Sequence, residues 1–214
     1  MVEPPAMMGA RARKLTWRVL VVYALGLLLV GFADPDPRKV GRWWFWVGLA
    51  LLAAGQAVRL WAAGHLRKNE VLTVTGPYAY VKNPLYLGTF WAMVGFALVA
   101  KSDPTLPAWY LRHLNLILLA ATISVFVLYY VPYKRRREGS RLHGRFGCDW
   151  EHYDHHVPDY LPRWRRYERA GSRRWSWSAV RENSELWTPL ALAGAVVAVV
   201  FNGSLLTTAA RLWP

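Results

Sequence analysis

The chain has 214 residues, 54% hydrophobic and 14% aromatic, with 13 Trp and a formal net charge of +14. The apolar residues are gathered into runs of roughly 18 to 25, long enough to span a bilayer, which argues against an ordinary soluble globular domain. Cys148 is the single cysteine, which excludes an intrachain disulfide, a Cys-ligated zinc site and a redox pair.

Residues 1–14 are small and Pro-containing and turn basic at Arg11, Arg13 and Lys14, ahead of a first apolar run over 15–32. A basic stretch before an apolar run also describes a signal peptide, but the run is long and further runs follow, so a retained span is expected. Residues 34–42, DPDPRKVGR, make a short turn. The second run, 43–63, opens on Trp43, Trp44 and Trp46 in the manner of an interfacial aromatic belt. Arg59 lies in its second half, where it either snorkels to the interface or points into the bundle. The third run is 84–100, the fourth 113–133 and the fifth 186–206, whose Ala191, Ala193, Gly194 and Ala195 suit close helix packing. The predicted fold is all-α. It is a polytopic membrane helical bundle of about five transmembrane helices, one membrane domain over 1–214, with polar segments at 64–83 and 134–182.

Thirteen Lys and Arg lie in 134–182 and three in 64–83, against six on the loops at the opposite ends of the spans. This bias puts both polar segments and the N-terminus on the cytoplasmic side, as in a multi-pass protein of a bacterial inner membrane. The positive charge is then topological. No nucleic-acid motif accompanies it, and anionic membrane lipids are the expected neighbours.

The first polar segment, read with its flanks as HLRKNEVLTVTGPYAYVKNPLYLG over 65–88, combines two backbone breaks with hydrogen-bonding side chains. Gly76-Pro77 marks a turn, and Pro84 suits the first turn of the following helix. Tyr78, Tyr80, Lys82, Asn83 and Tyr86 make it a plausible ligand cradle at a membrane boundary. The second segment, KRRREGSRLHGRFGCDWEHYDHHVPDYLP over 134–162, continues the fourth run as a helix that weakens near Gly144 and Gly147. Lys134, Glu138 and Leu142 share one helical face. Glu138 either pairs with Lys134 or Arg141 on a solvated surface or faces a ligand. The two segments, one helical hairpin apart, would meet at the inner surface around a pocket open to both water and lipid.

Gly76, Tyr78, Lys82-Asn83-Pro84, Tyr86 and Gly88 resemble one block of the isoprenylcysteine carboxyl methyltransferase and phospholipid methyltransferase family. Glu138, Leu142, Phe146-Gly147, Tyr153, Val157-Pro158 and Pro162 resemble its second block. The resemblance covers roughly residues 43–164. It implies an integral membrane methyltransferase that carries a methyl group from S-adenosylmethionine to a lipid-like or prenylated acceptor, an isoprenylcysteine carboxylate above all. It also implies cofactor positions at Glu70, Val71, Leu72, Thr73, Tyr78, Asn83, Pro84, Leu85, Tyr86 and Glu138, under a cytoplasmic cover. Lys134 falls on the acceptor-orienting position, so Lys134 and Glu138 are the catalytic expectations. The chain departs from the family pattern at Lys82-Asn83, where Arg-His is expected, and at Gly139, where a second Glu is expected.

A nicotinamide-dependent membrane reductase of related fold and a non-catalytic helical membrane protein are the alternative readings. His143, His152, His155 and His156 form no HExxH pattern, and Pro158 follows closely, so no metal site is expected from them. Trp164, Trp175 and Trp177, with their neighbouring arginines, read as an interface-lying segment.

Overall fold

The structure, a computed structural model, describes residue 26, residues 28–67 and residues 71–202. Most of the first apolar run, the last four residues of the fifth run and Glu70 therefore lie outside the described residues. So do the side chains of Lys134 and Glu138, although their backbone is helical.

Helix α1 runs Trp43–His65 and α2 runs Pro84–Val99. Helix α3, Leu114–Val125, passes through a π-helical stretch, Phe126–Tyr130, into α4, Val131–Phe146, without a break. Gly147 stops α4 with φ +51° and starts α5, Cys148–His156. Two further helices follow, α6 at Trp177–Glu182 and α7 at Trp187–Asn202. The all-helical expectation holds among the described residues, where the only strand-like feature is an isolated antiparallel bridge between Ala33 and Ser102.

The count of five spans is not shown among the described residues, which leave out most of the first apolar run. Two helical stretches, Trp43–His65 and Leu114–Tyr133, are long and apolar enough to cross a membrane, while Pro84–Val99 and Trp187–Phe201 are apolar but shorter. At 1.5 Å per residue the 16 residues of α2 cover about 24 Å, short of the ~30 Å hydrocarbon layer. The Asn83-Pro84 break and the stop at Ala100 trim the third apolar run to this length.

Glycines decide how α1 and α2 meet. A Cβ at Gly55 would lie 2.5 Å from the Gly88 carbonyl oxygen, and one at Gly48 would lie 2.8 Å from that of Gly95. Only bare backbone allows this approach, as in small-residue interfaces between membrane helices. The hairpin buries Phe45, Leu52, Ala92, Phe96 and Val99 together with Val199 of α7.

One end of the bundle is closed by short polar contacts. Asp34 N donates to Lys101 O at 2.8 Å and Asp103 N donates to Phe32 O at 3.1 Å. Lys39, 2% exposed, sends its ammonium to the carbonyls of Asp34 and Val199 at 2.5 and 2.7 Å. Asn115 is held between Ser102 and the Ala97 carbonyl.

At the other end a strap over 173–185 folds across the C-terminus of α1. Asn183 donates to the Ala63 and Leu66 carbonyls at 3.1 Å each, which satisfies acceptors that a helix end leaves open. Arg59 points into the bundle, contacting the Thr89 hydroxyl and pairing with Glu185 at 2.6 Å. Trp175 departs from the interfacial expectation. Its indole packs on Gly64 and donates to Leu60 O at 3.1 Å, whereas Trp164 is fully exposed.

Candidate functional site

Gly76 has φ +59°, and the His65 ring occupies the place a side chain there would need. This turn leads through Gly76–Ala79 and buries Tyr78 before Lys82, Asn83 and Pro84 open α2. The second polar segment folds directly onto it. Lys82 N donates to Pro158 O at 2.9 Å, Arg163 N to Tyr80 O at 3.0 Å and Tyr167 N to Ala79 O at 2.9 Å. Tyr153 donates its hydroxyl to Tyr78 O at 2.8 Å, and Ala79, Tyr153, Val157 and Tyr167 share a small apolar core. Burial pushes the Tyr153 hydroxyl well above the usual tyrosine range, with Tyr78 and Tyr167 adding to the shift, so it stays a hydrogen-bond donor.

Lys82 is the polar centre of the join. Its side chain is 6% exposed and its ammonium lies 2.5 Å from Asp154 Oδ1 and 3.0 Å from Asp159 Oδ1. Asn83 adds a bond from Nδ2 to Asp159 O at 3.1 Å. A buried ammonium with two carboxylates is well compensated, and its removal would leave both acids facing each other.

Between the two segments and α4 lies a cavity of about 430 Å³, within the size range of small-molecule sites. Of the residues expected to hold a ligand, Val71, Leu72, Thr73, Tyr78, Asn83, Pro84, Leu85 and Tyr86 line it. Gly139 lines it too. The sequence reading missed much of the opposite wall: Arg135, Arg145, Trp150, Asp154, Asp159 and Tyr160. Helical period signals only part of it, since Trp150 and Asp154 lie one turn apart on α5, while Asp159 and Tyr160 follow the helix in a bend.

Among the described side chains, Arg67, Lys82, Arg135, Arg141 and Arg145 face the cavity against Asp154 and Asp159, both of which pair with Lys82. The wall therefore favours an anionic or zwitterionic guest over a free cation. Among the described residues no three His, Cys, Asp or Glu side chains come together to hold a metal ion.

Comparison with known proteins gives two relatives. The chain is 28% identical over 149 residues to the nickel-cobalt-cadmium resistance protein NccN of Alcaligenes xylosoxydans xylosoxydans, covering 69% of this chain and 63% of that protein. It is 27% identical over 162 residues to the cobalt-zinc-cadmium resistance protein CzcN of Cupriavidus metallidurans, covering 75% of this chain and 67% of that protein. The chain thus spans less than two thirds of the length of the first of these relatives. No protein-family model and no solved structure matches it.

These relatives overturn the isoprenylcysteine methyltransferase resemblance and the methyl-transfer activity drawn from it. The structure supplies a physical reason why that resemblance misleads. Gly76, Tyr78, Pro84, Gly88, Tyr153 and Val157 shape a turn, a close helix approach and a small core. They report how the chain is built, while the two positions expected to carry chemistry, Lys134 and Glu138, have side chains outside the described residues.

Proposed function

We propose that this chain is a multi-pass membrane protein that serves resistance to divalent transition-metal cations. In this reading it works through a guest held in the basic cavity, at the cytoplasmic surface, rather than by passing the cation through its helices. The observation that carries the reading is the likeness to two metal resistance proteins over 69% and 75% of the chain. The cavity supports the second half of it, since five basic side chains on its wall disfavour a cation inside. The excess of Lys and Arg in the two polar segments supports the cytoplasmic placement. An anionic lipid-like molecule is the guest to try first, and S-adenosylmethionine, whose net charge of about +1 sets only its carboxylate toward the arginines, is the second. Both are suggested by the eight expected positions on the wall and proposed here only as bound ligands.

The test is metal tolerance. Cells lacking the gene and carrying it on a plasmid are grown across graded Ni²⁺, Co²⁺, Zn²⁺ and Cd²⁺. Restored growth at concentrations that arrest the empty-plasmid strain supports the reading, and identical growth of the two strains for all four cations overturns it. Calorimetric titration of the purified protein with each guest then identifies the occupant.

A further inference from the structure

Helix α5 has two working faces. Trp150, Tyr153 and Asp154 line the cavity, while His152 and His156, one turn apart, stand on the opposite side. The two imidazoles stack, with centroids 4.0 Å apart and 16° between planes. His156 Nδ1 lies 2.7 Å from the His152 carbonyl oxygen. A carbonyl only accepts, so this nitrogen carries the proton and the lone pair sits on Nε2. His152 Nδ1 lies 2.8 Å from the Tyr167 hydroxyl, whose ring is buried against Tyr153. Each ring is tied through Nδ1; the His152 tautomer whose Nδ1–H donates to the Tyr167 oxygen is the one that leaves its Nε2 lone pair open, and no hydrogen bond among the described residues takes up either Nε2.

We infer that His152 and His156 form a two-imidazole site for a divalent transition cation on the outer face of α5. The inference rests on the metal-resistance reading for its biological sense. Neutral imidazole is a favoured ligand of zinc, nickel and cobalt, and a second bond from its other nitrogen fixes the ring for that role. His156 is exposed, so its ring leaves the stack and its bond to the His152 carbonyl to bring Nε2 to an ion held by His152, while the Tyr167 contact of His152 and the core stay in place. With only two protein ligands, water completes the coordination, and the ion exchanges rather than stays. From this site the packed rings of Tyr167 and Tyr153 lead directly to Tyr78 in the cavity wall, which places metal occupancy next to the guest site.

The experiment is Co²⁺ titration of the full chain in detergent, followed by calorimetry and by the visible absorption of the bound ion. One saturable Co²⁺ per chain is expected. H152Q and H156Q should each weaken it at least tenfold, while H155Q, H143Q and C148S should change it less than twofold. Thermal unfolding of every variant confirms that it is folded, and the exposed His156 gives the cleaner of the two substitutions. No saturable Co²⁺ in the wild type, or full affinity in H156Q, overturns the site. Equal loss in H155Q or C148S also overturns it, by moving the ion elsewhere. Failure here leaves the tolerance assay untouched, and a failed tolerance assay with intact Co²⁺ binding removes only the biological reading.

Discussion

The two ends of the bundle are held by different means. The Lys39 end is closed by ammonium, amide and hydroxyl groups bonded mostly to nearby backbone, with Lys39, Ser102, Asp103 and Asn115 all buried. The Lys82 end joins its segments through side-chain charge around a cavity walled by arginines, whereas the cavity of about 540 Å³ beside Lys39 is lined by acids and bases in equal number, Asp34, Asp36 and Asp103 with Lys39, Arg42 and Lys101. Backbone-capped ends only need to satisfy carbonyls. An end built from Lys82, Asp154 and Asp159, with arginines on the wall, spends polar groups on shaping a space. The excess of basic side chains and the eight expected ligand positions on its wall single out the cavity at the Lys82 end for test.

The comparison breaks most sharply at Lys82. Lys82→Met should cost about 3 kcal/mol, at the low end for a broken buried pair because Asp154 is 41% exposed. In a chain of this size that is a fall in Tm of about 6–12 °C, read by thermal unfolding in detergent. Lys39→Met at the other end should cost about 2 kcal/mol by the same measurement, since it removes two charge-assisted bonds to carbonyls and no direct ion pair. Lys39 also gives the closed end a pH signature. Burial holds its ammonium below the usual lysine range, with Asp34 and Asp36 opposing the shift. Between that lowered value and 10.5 the unfolded chain binds the extra proton, so this group makes wild-type stability rise with pH across that window. The Lys39→Met variant should show a flatter stability–pH curve there, and an unchanged slope would remove the assignment. The smallest effect has the opposite sign. Gly139 lies within α4 with open space where a Cβ would stand, so Gly139→Ala should stabilise by about 0.5–1 kcal/mol.

The apolar runs made the helices legible in sequence, and the Gly76-Pro77 and Asn83-Pro84 breaks located one wall of the cavity. The third run was legible almost to the residue, since 84–100 becomes the helix Pro84–Val99 with Pro84 in its first turn. The partners of Lys82 were hidden. Asp154 and Asp159 look like solvated charges on a polar stretch until Pro158 and Tyr167 fold them onto residues 79–82. Trp175 was misjudged similarly, since nothing local shows that the bare backbone of Gly64 is waiting for an indole. The function was misread because turn-forming and packing residues make a conspicuous pattern without specifying any chemistry.

The most direct test of a working cavity is to fill it without harming the fold. Gly139→Phe puts a ring into the space while replacing a poor helix former inside α4. Its Tm and its support of growth on Co²⁺ and Cd²⁺ should be measured side by side with wild type. The account predicts an unchanged or higher Tm with metal tolerance reduced to that of the strain lacking the gene. Full tolerance in a folded Gly139→Phe protein would contradict it.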